Sequence, residues 1–158
     1  MLKIARAVIL ASVLVFPIQF ANSYPSETLS EYTTHTIKDL YCLTKNIYHE
    51  ARGESYQGKL AVAQVTMNRV NHPTKWPNNV CDVVYQKVKG FPQFSWTTMK
   101  DLKIVDNNAW LEAKSIAYGV LTGDLILKNF NATHFHNKTV EYAQNRKGSR
   151  VIGNHIFY

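Results

Sequence analysis

The chain has 158 residues, 46% of them hydrophobic and 18% charged, with a net charge of +7. That is apolar material for one compact domain, and without internal repeats, a glycine-serine linker or a low-complexity tract nothing argues for a second. The basic balance suits an anionic polymer such as cell wall, lipopolysaccharide or nucleic acid, without choosing among them.

Residues 1–23 have the pattern of a secretory signal peptide. Met1-Leu2-Lys3-Ile4-Ala5-Arg6 is a basic start, Ala7 to Phe16 is apolar, and Ala21-Asn22-Ser23 supplies small residues for cleavage near Ser23. A membrane anchor is the alternative, but the roughly ten apolar residues before Gln19 are too few to span a bilayer. Removal leaves 135 residues, and the loss of Lys3 and Arg6 lowers the net charge to +5. The expected location is therefore exported, periplasmic or extracellular, with no stable membrane insertion afterwards. Residues 24–39 form a polar N-terminal arm and the start of the first helix, and residues 40–158 form the functional domain. An even pair of cysteines, Cys42 and Cys81, favours a disulfide in an oxidising compartment, with two separate buried thiols as the alternative.

The first helix is expected from Thr36 to about Ala51. Ile37, Leu40, Tyr41, Thr44, Ile47, Tyr48 and Ala51 recur at helical steps, Thr36 with Asp39 resembles a capping box, and Gly53 is a plausible stop. Leu60 to Val70 is apolar nearly all round, which marks a central helix ending near Asn71 ahead of Pro73. Asn68 and Arg69 are its polar exceptions, expected as a satisfied amide and an ion-pair partner. Asn79 and Asp82 cap a short third helix through Val80, Val83 and Val84. Gly90-Phe91-Pro92-Gln93-Phe94-Ser95-Trp96 breaks the periodicity, either as an aromatic-bearing surface loop or as a plug folded into the core. A fourth amphipathic helix follows Asp106 and closes at Gly123. Ala132 to His136 and Ile152 to Tyr158 alternate as strands, with a basic turn over residues 145–150 between them. The class is α+β, mostly helical, with a small C-terminal sheet.

Glu50 ends the first helix beside Ile47 and Tyr48, on the rim of the buried stripe. A carboxyl set against carbon has its charged form disfavoured, so its pKa rises toward the range of a general acid. An ordinary solvated helix end, with Glu50, Arg52 and Glu54 as surface charges, is the competing reading.

Several ordered stretches resemble one family. Ile47-Tyr48-His49-Glu50-Ala51-Arg52-Gly53-Glu54, Gly58, Ala61-Val62-Ala63-Gln64-Val65 and Asn68-Arg69-Val70 are similar to the cell wall hydrolase family of the spore cortex-lytic enzymes. The resemblance continues through Val80-Cys81-Asp82-Val83-Val84, Gln93-Phe94-Ser95-Trp96, Ala109-Trp110, Ala132 to His136 and Ile152 to Tyr158. It implies a lysozyme- and lytic-transglycosylase-like fold acting on peptidoglycan glycan strands, between N-acetylmuramic acid and N-acetylglucosamine. It implies Glu50 as the catalytic group. A monomer with no cofactor, no metal and no nucleic-acid partner is expected. Tyr48, Gln93, Phe94, Ser95, Trp96, His134 and His136 are the candidate sugar contacts, and Glu54 is a possible second carboxylate. The sequence departs from the family over Asp124 to Asn131, where relatives often carry a glycine-rich turn. The rival readings are a metal-dependent amidase, for which the zinc helix motif lacks its second histidine, and a non-catalytic wall-binding module.

Overall fold

The structure is a computed structural model that describes residues 26–140 and 148–158, with side chains described from Thr36 onward. The signal segment 1–23 and residues 145–147 of the expected basic turn lie outside the described residues.

Helix α1 runs Ser26–Ala51, so it starts well before the Thr36 expected from the capping pattern, and most of the expected arm is helical. Neither glycine nor proline interrupts this span, and each residue added to an existing helix gains a hydrogen bond at little cost. The buried face is also shifted. Cys42, Leu43, Asn46, Ile47, Tyr48 and Ala51 are in the core, whereas Ile37 and Tyr41 are exposed. Helix α4, Asn107–Thr122, packs along α1 and selects that face, while Tyr41 lies edge-on to Trp110 at the margin.

Helix α2, Tyr56–Val70, is the central element that its composition requires. The Ser55 side chain caps it by accepting from the Gly58 N–H, and the Asn71 N–H closes it on Met67 O ahead of Pro73. Helix α3, Val80–Val84, starts at Asn79, whose Oδ1 accepts from the Asp82 N–H at 2.8 Å. A Cys42–Cys81 disulfide joins α1 to α3. Strands β1 (Lys87–Val88) and β2 (Phe91–Pro92) form a hairpin whose turn residues, Lys89 and Gly90, both have positive φ, as a two-residue turn of the primed type requires. A single 3₁₀ turn, Ser95–Thr98, then drops back onto α1.

Among the described residues the carboxyl-terminal part forms three strands rather than the expected two: β3 (Phe135–Asn137), β4 (Arg150–Ile152) and β5 (His155–Phe157), in the order β3-β5-β4, all antiparallel. The run ending at Tyr158 is itself a hairpin turning at Gly153-Asn154, because Gly153 adopts φ 59 and ends the alternation. Residues before β3 continue the pairing, with the Thr133 and His134 N–H groups both donating to Tyr158 O. In the loop that departs from the family pattern, Asn129 takes φ 55, a left-handed conformation that asparagine tolerates better than most residues.

Two apolar clusters hold the elements. One gathers Leu43, Ile47, Tyr48, Val84, Phe94, Trp96 and Ile116 between α1, α3 and α4. The other sets Ala51, Val62 and Val65 against Phe130, Ile152 and Phe157, seating the sheet on the α1–α2 corner. Asn46, fully buried, knits three elements: its Nδ2 donates to Thr66 Oγ1 at 3.1 Å and its Oδ1 accepts from Trp96 Nε1 at 3.0 Å. Among the described residues no helix is long and apolar enough to cross a membrane.

Candidate active site

Glu50 sits one residue from the end of α1, at the corner where the sheet meets the helices. It is partly buried, and that burial pushes its pKa up to about 7, with the positive charge of Arg69 pulling the other way. At neutral pH a large fraction of this carboxyl therefore holds a proton, as a general acid requires.

Arg69 comes from α2 and is only 4% exposed. Its Nε donates to Thr133 O at 2.7 Å, and its guanidinium lies 5.1 Å from the Phe94 ring and 6.0 Å from that of Trp76. Burial lowers its pKa to about 10, partly offset by Glu50, so it remains a cation at neutral pH. Trp76 continues outward to a set of partly buried rings: its ring lies 6.0 Å from His134, and His134 and His136 stand parallel to Tyr158 at 5.7 and 5.6 Å. Tyr158 OH is hydrogen-bonded to His136 Nδ1, and Thr133 Oγ1 to His134 Nδ1. The ledge is held because Tyr158 pairs with His134 through both backbone groups.

The sequence-derived candidates separate into two groups. His134 and His136 belong to this ledge, and Gln93 and Ser95 retain exposed surface on the segment that carries Phe94. Tyr48, Phe94 and Trp96 do not present a surface: they are 0%, 2% and 4% exposed. Tyr48 OH accepts from the Val105 and Asp106 N–H groups and fixes the start of α4. Phe94 underlies Arg69, and Trp96 spends its indole N–H on Asn46 with His49 stacked at 4.8 Å. Of the two readings of Gly90 to Trp96, these two rings follow the core plug, because each finds apolar cover or a hydrogen-bond partner inside. His49 is itself held below the usual histidine range by burial, then by Lys45 and Arg52.

Glu54 follows the α1–α2 corner and faces the sheet. Its Oε2 accepts from the Asn154 N–H at 3.0 Å and its Oε1 from Asn154 Nδ2 at 3.1 Å. Partial burial raises its pKa, but the two Asn154 hydrogen bonds with His155 and Lys138 outweigh this and hold it below the usual range. Gly153 makes the approach possible, since a Cβ there would fall 2.1 Å from Oε2. Among the described residues no three His, Cys, Asp or Glu side chains are grouped to hold a metal ion.

Arg69, Trp76 and Tyr158 are absent from the sequence-derived set. A charged residue inside an otherwise apolar helix was the available signal for Arg69. Nothing in the spacing around Trp76 or Tyr158 brings either ring to His134.

The profile of the cell wall hydrolase family matches residues 53–158, more than half of the chain. The chain belongs to the cell wall hydrolase family. It is 46% identical over 48 residues to the spore cortex-lytic enzyme of Halalkalibacterium halodurans, covering 30% of this chain and 14% of that enzyme. Against the spore cortex-lytic enzyme of Oceanobacillus iheyensis it is 29% identical over 127 residues, 75% of this chain and 41% of the other. The chain thus spans less than half the length of these curated relatives. The fold matches the catalytic domain of the germination-specific lytic transglycosylase SleB from Bacillus anthracis with a TM-score of 0.58 at 27% identity, over 75% of this chain and 92% of that domain. This places the chain in the lysozyme-like, mostly helical α+β class read from its sequence.

Proposed function

We propose that the chain cleaves peptidoglycan glycan strands between N-acetylmuramic acid and N-acetylglucosamine, as a lytic transglycosylase with Glu50 as its one catalytic carboxylate. The observation that carries this is the proton that Glu50 retains to about pH 7, in a family of cell wall hydrolases. Protonated Glu50 donates to the glycosidic oxygen as the bond to the muramoyl C1 breaks, and the leaving sugar departs as an alcohol. The oxocarbenium-like centre is captured by the muramoyl 6-hydroxyl, whose proton returns to the Glu50 carboxylate. A 1,6-anhydro end remains, and no water is consumed.

The ring ledge of Trp76, His134, Tyr158 and His136 supports the sugars, with ring faces toward C–H surfaces and with Gln93 and Ser95 toward acetamido and hydroxyl groups. Hydrolysis by a retaining pair needs a second carboxylate about 5–5.5 Å from the first. Glu54 is poorly suited, since both its oxygens are engaged by Asn154. The substrate lies outside the cytoplasm, which agrees with an export signal over residues 1–23.

Digestion of purified peptidoglycan by the wild-type chain and by Glu50→Gln, with mass spectrometry of the products, tests this. Anhydro-muramoyl ends from the wild type and none from the variant are expected. Free reducing ends would mean hydrolysis, released stem peptides an amidase, and binding without products a wall-binding module.

A further inference from the structure

Arg69 is enclosed on most sides. Its Nε is committed to Thr133 O, and the Phe94 and Trp76 rings both lie within 6.0 Å of the guanidinium carbon. Its Nη1 is buried and has no hydrogen-bond partner among the described residues. A charged donor left unmade inside a protein is costly, and natural structures rarely carry one without a use. The residue sits on α2, which packs against α1, and the carboxyl on which its charge acts is Glu50. While Glu50 holds its proton it offers Arg69 little. Once the proton has gone to the glycosidic oxygen, Glu50 becomes an anion in a partly dehydrated corner, subject to the positive charge of Arg69.

We propose that Arg69 is a positioning residue for the proton cycle of Glu50, its unpartnered Nη1 being the donor that receives the carboxylate formed when the glycosidic bond breaks. This rests on the proposed acid role of Glu50 and deepens it. The interaction is absent in the protonated ground state and forms as negative charge develops, so it lowers the barrier rather than merely tightening binding. It also holds the carboxylate in place to take the 6-hydroxyl proton in the second half of the cycle. Thr133, through its carbonyl, sets the guanidinium, which ties the strand leading into β3 to the same function. The charged and titratable groups on the elements meeting here include Lys38, Asp39, Lys45 and His49 on α1, Arg52 and Glu54 at the corner, Lys59 and Arg69 on α2, His134 ahead of β3, and His136, Arg150 and His155 in the sheet. Arg69 is the one whose charge acts on Glu50.

The test compares wild type, Arg69→Met and Arg69→Lys, with the folded fraction of each fixed by near-ultraviolet circular dichroism. Two readouts are taken: peptidoglycan turnover against pH, and direct carbon-13 titration of the Glu50 carboxyl. Per folded molecule, Arg69→Met should lose roughly 100-fold in kcat with little change in KM. Its alkaline activity limb and its Glu50 titration midpoint should both move to higher pH. Arg69→Lys, which keeps the charge, should leave the midpoint near the wild-type value and recover part of kcat. An Arg69→Met protein that melts earlier but keeps the wild-type Glu50 midpoint would show a packing role only and would overturn the proposal. If Arg69→Met does not fold, an Arg69→Lys protein with unchanged kcat and KM would overturn it, and a selective loss of kcat would support it. The carboxyl titration needs no turnover, so it separates a failure here from a failure of the glycosidase reading.

Discussion

Glu50 and Glu54 are the same residue type four positions apart at one helix corner, yet their environments drive them in opposite directions. Burial acts on both and in the same sense. At Glu50 little but the charge of Arg69 opposes it, and the carboxyl keeps its proton to about pH 7. At Glu54 two hydrogen bonds from Asn154 favour the anion and win. Helix α1 ends at Ala51, and the second glutamate, beyond that end, is bonded to the sheet. Proximity in sequence therefore says little about shared chemistry, and what decides is which donors the rest of the fold delivers to each carboxyl.

The largest expected effect is at the first glutamate. Glu50→Gln should lower turnover of peptidoglycan by roughly 10³-fold, within the range for loss of a general acid, while binding to the polymer is retained in a pull-down. Its stability should respond to pH in a diagnostic way. The native carboxyl titrates near 7 and an unfolded one near 4.5, so the native state binds the extra proton between those values. The stability this provides is complete below pH 4.5 and lost as pH rises through 7. Glu50→Gln should accordingly gain on the wild type in melts as pH rises from 5 to 8.

Next comes the covalent tie on the other side of α1. Removing the Cys42–Cys81 bridge by a double serine substitution should cost about 3–4 kcal/mol in denaturant melts, given the loop of 39 residues that it closes. It should leave the Glu54 titration where it is, since Asn154 belongs to the sheet.

Gly153→Ala attacks the second glutamate directly. The new Cβ would overlap Oε2 and sit at φ 59, so roughly 1–3 kcal/mol of stability should be lost, together with the downward shift of Glu54. Smallest of all, Glu54→Gln should cost roughly 1 kcal/mol above pH 4.5. That difference from the wild type should shrink as pH falls, the sign opposite to that for Glu50. Turnover should fall only modestly; a loss as large as for Glu50→Gln would make Glu54 a second catalytic carboxylate.

Much of the helical framework was legible. The cap at Asn79, the bounds of α4 at Asp106 and Gly123, the mostly apolar α2 and the rim position of Glu50 follow from local propensity and period, and local rules governed them. The readings that changed depended on long-range partners. Tyr48, Phe94 and Trp96 look like exposed sugar contacts until the backbone N–H groups of Val105 and Asp106, the Arg69 guanidinium and the Asn46 amide are brought to them. The ledge of Trp76, His134 and Tyr158 is assembled from segments far apart in the chain, joined through the backbone pairing at Tyr158. The extra strand arose from one glycine, Gly153, whose φ turns an apparently continuous run into a hairpin.

The most direct test is to label the glutamate carboxyl carbons and titrate Glu50 and Glu54 in one sample of the folded protein. A midpoint near 7 for Glu50 and one below 4.5 for Glu54 is the predicted result. Two midpoints together near 4.5 would contradict it, because Glu50 would then hold no proton to give at neutral pH.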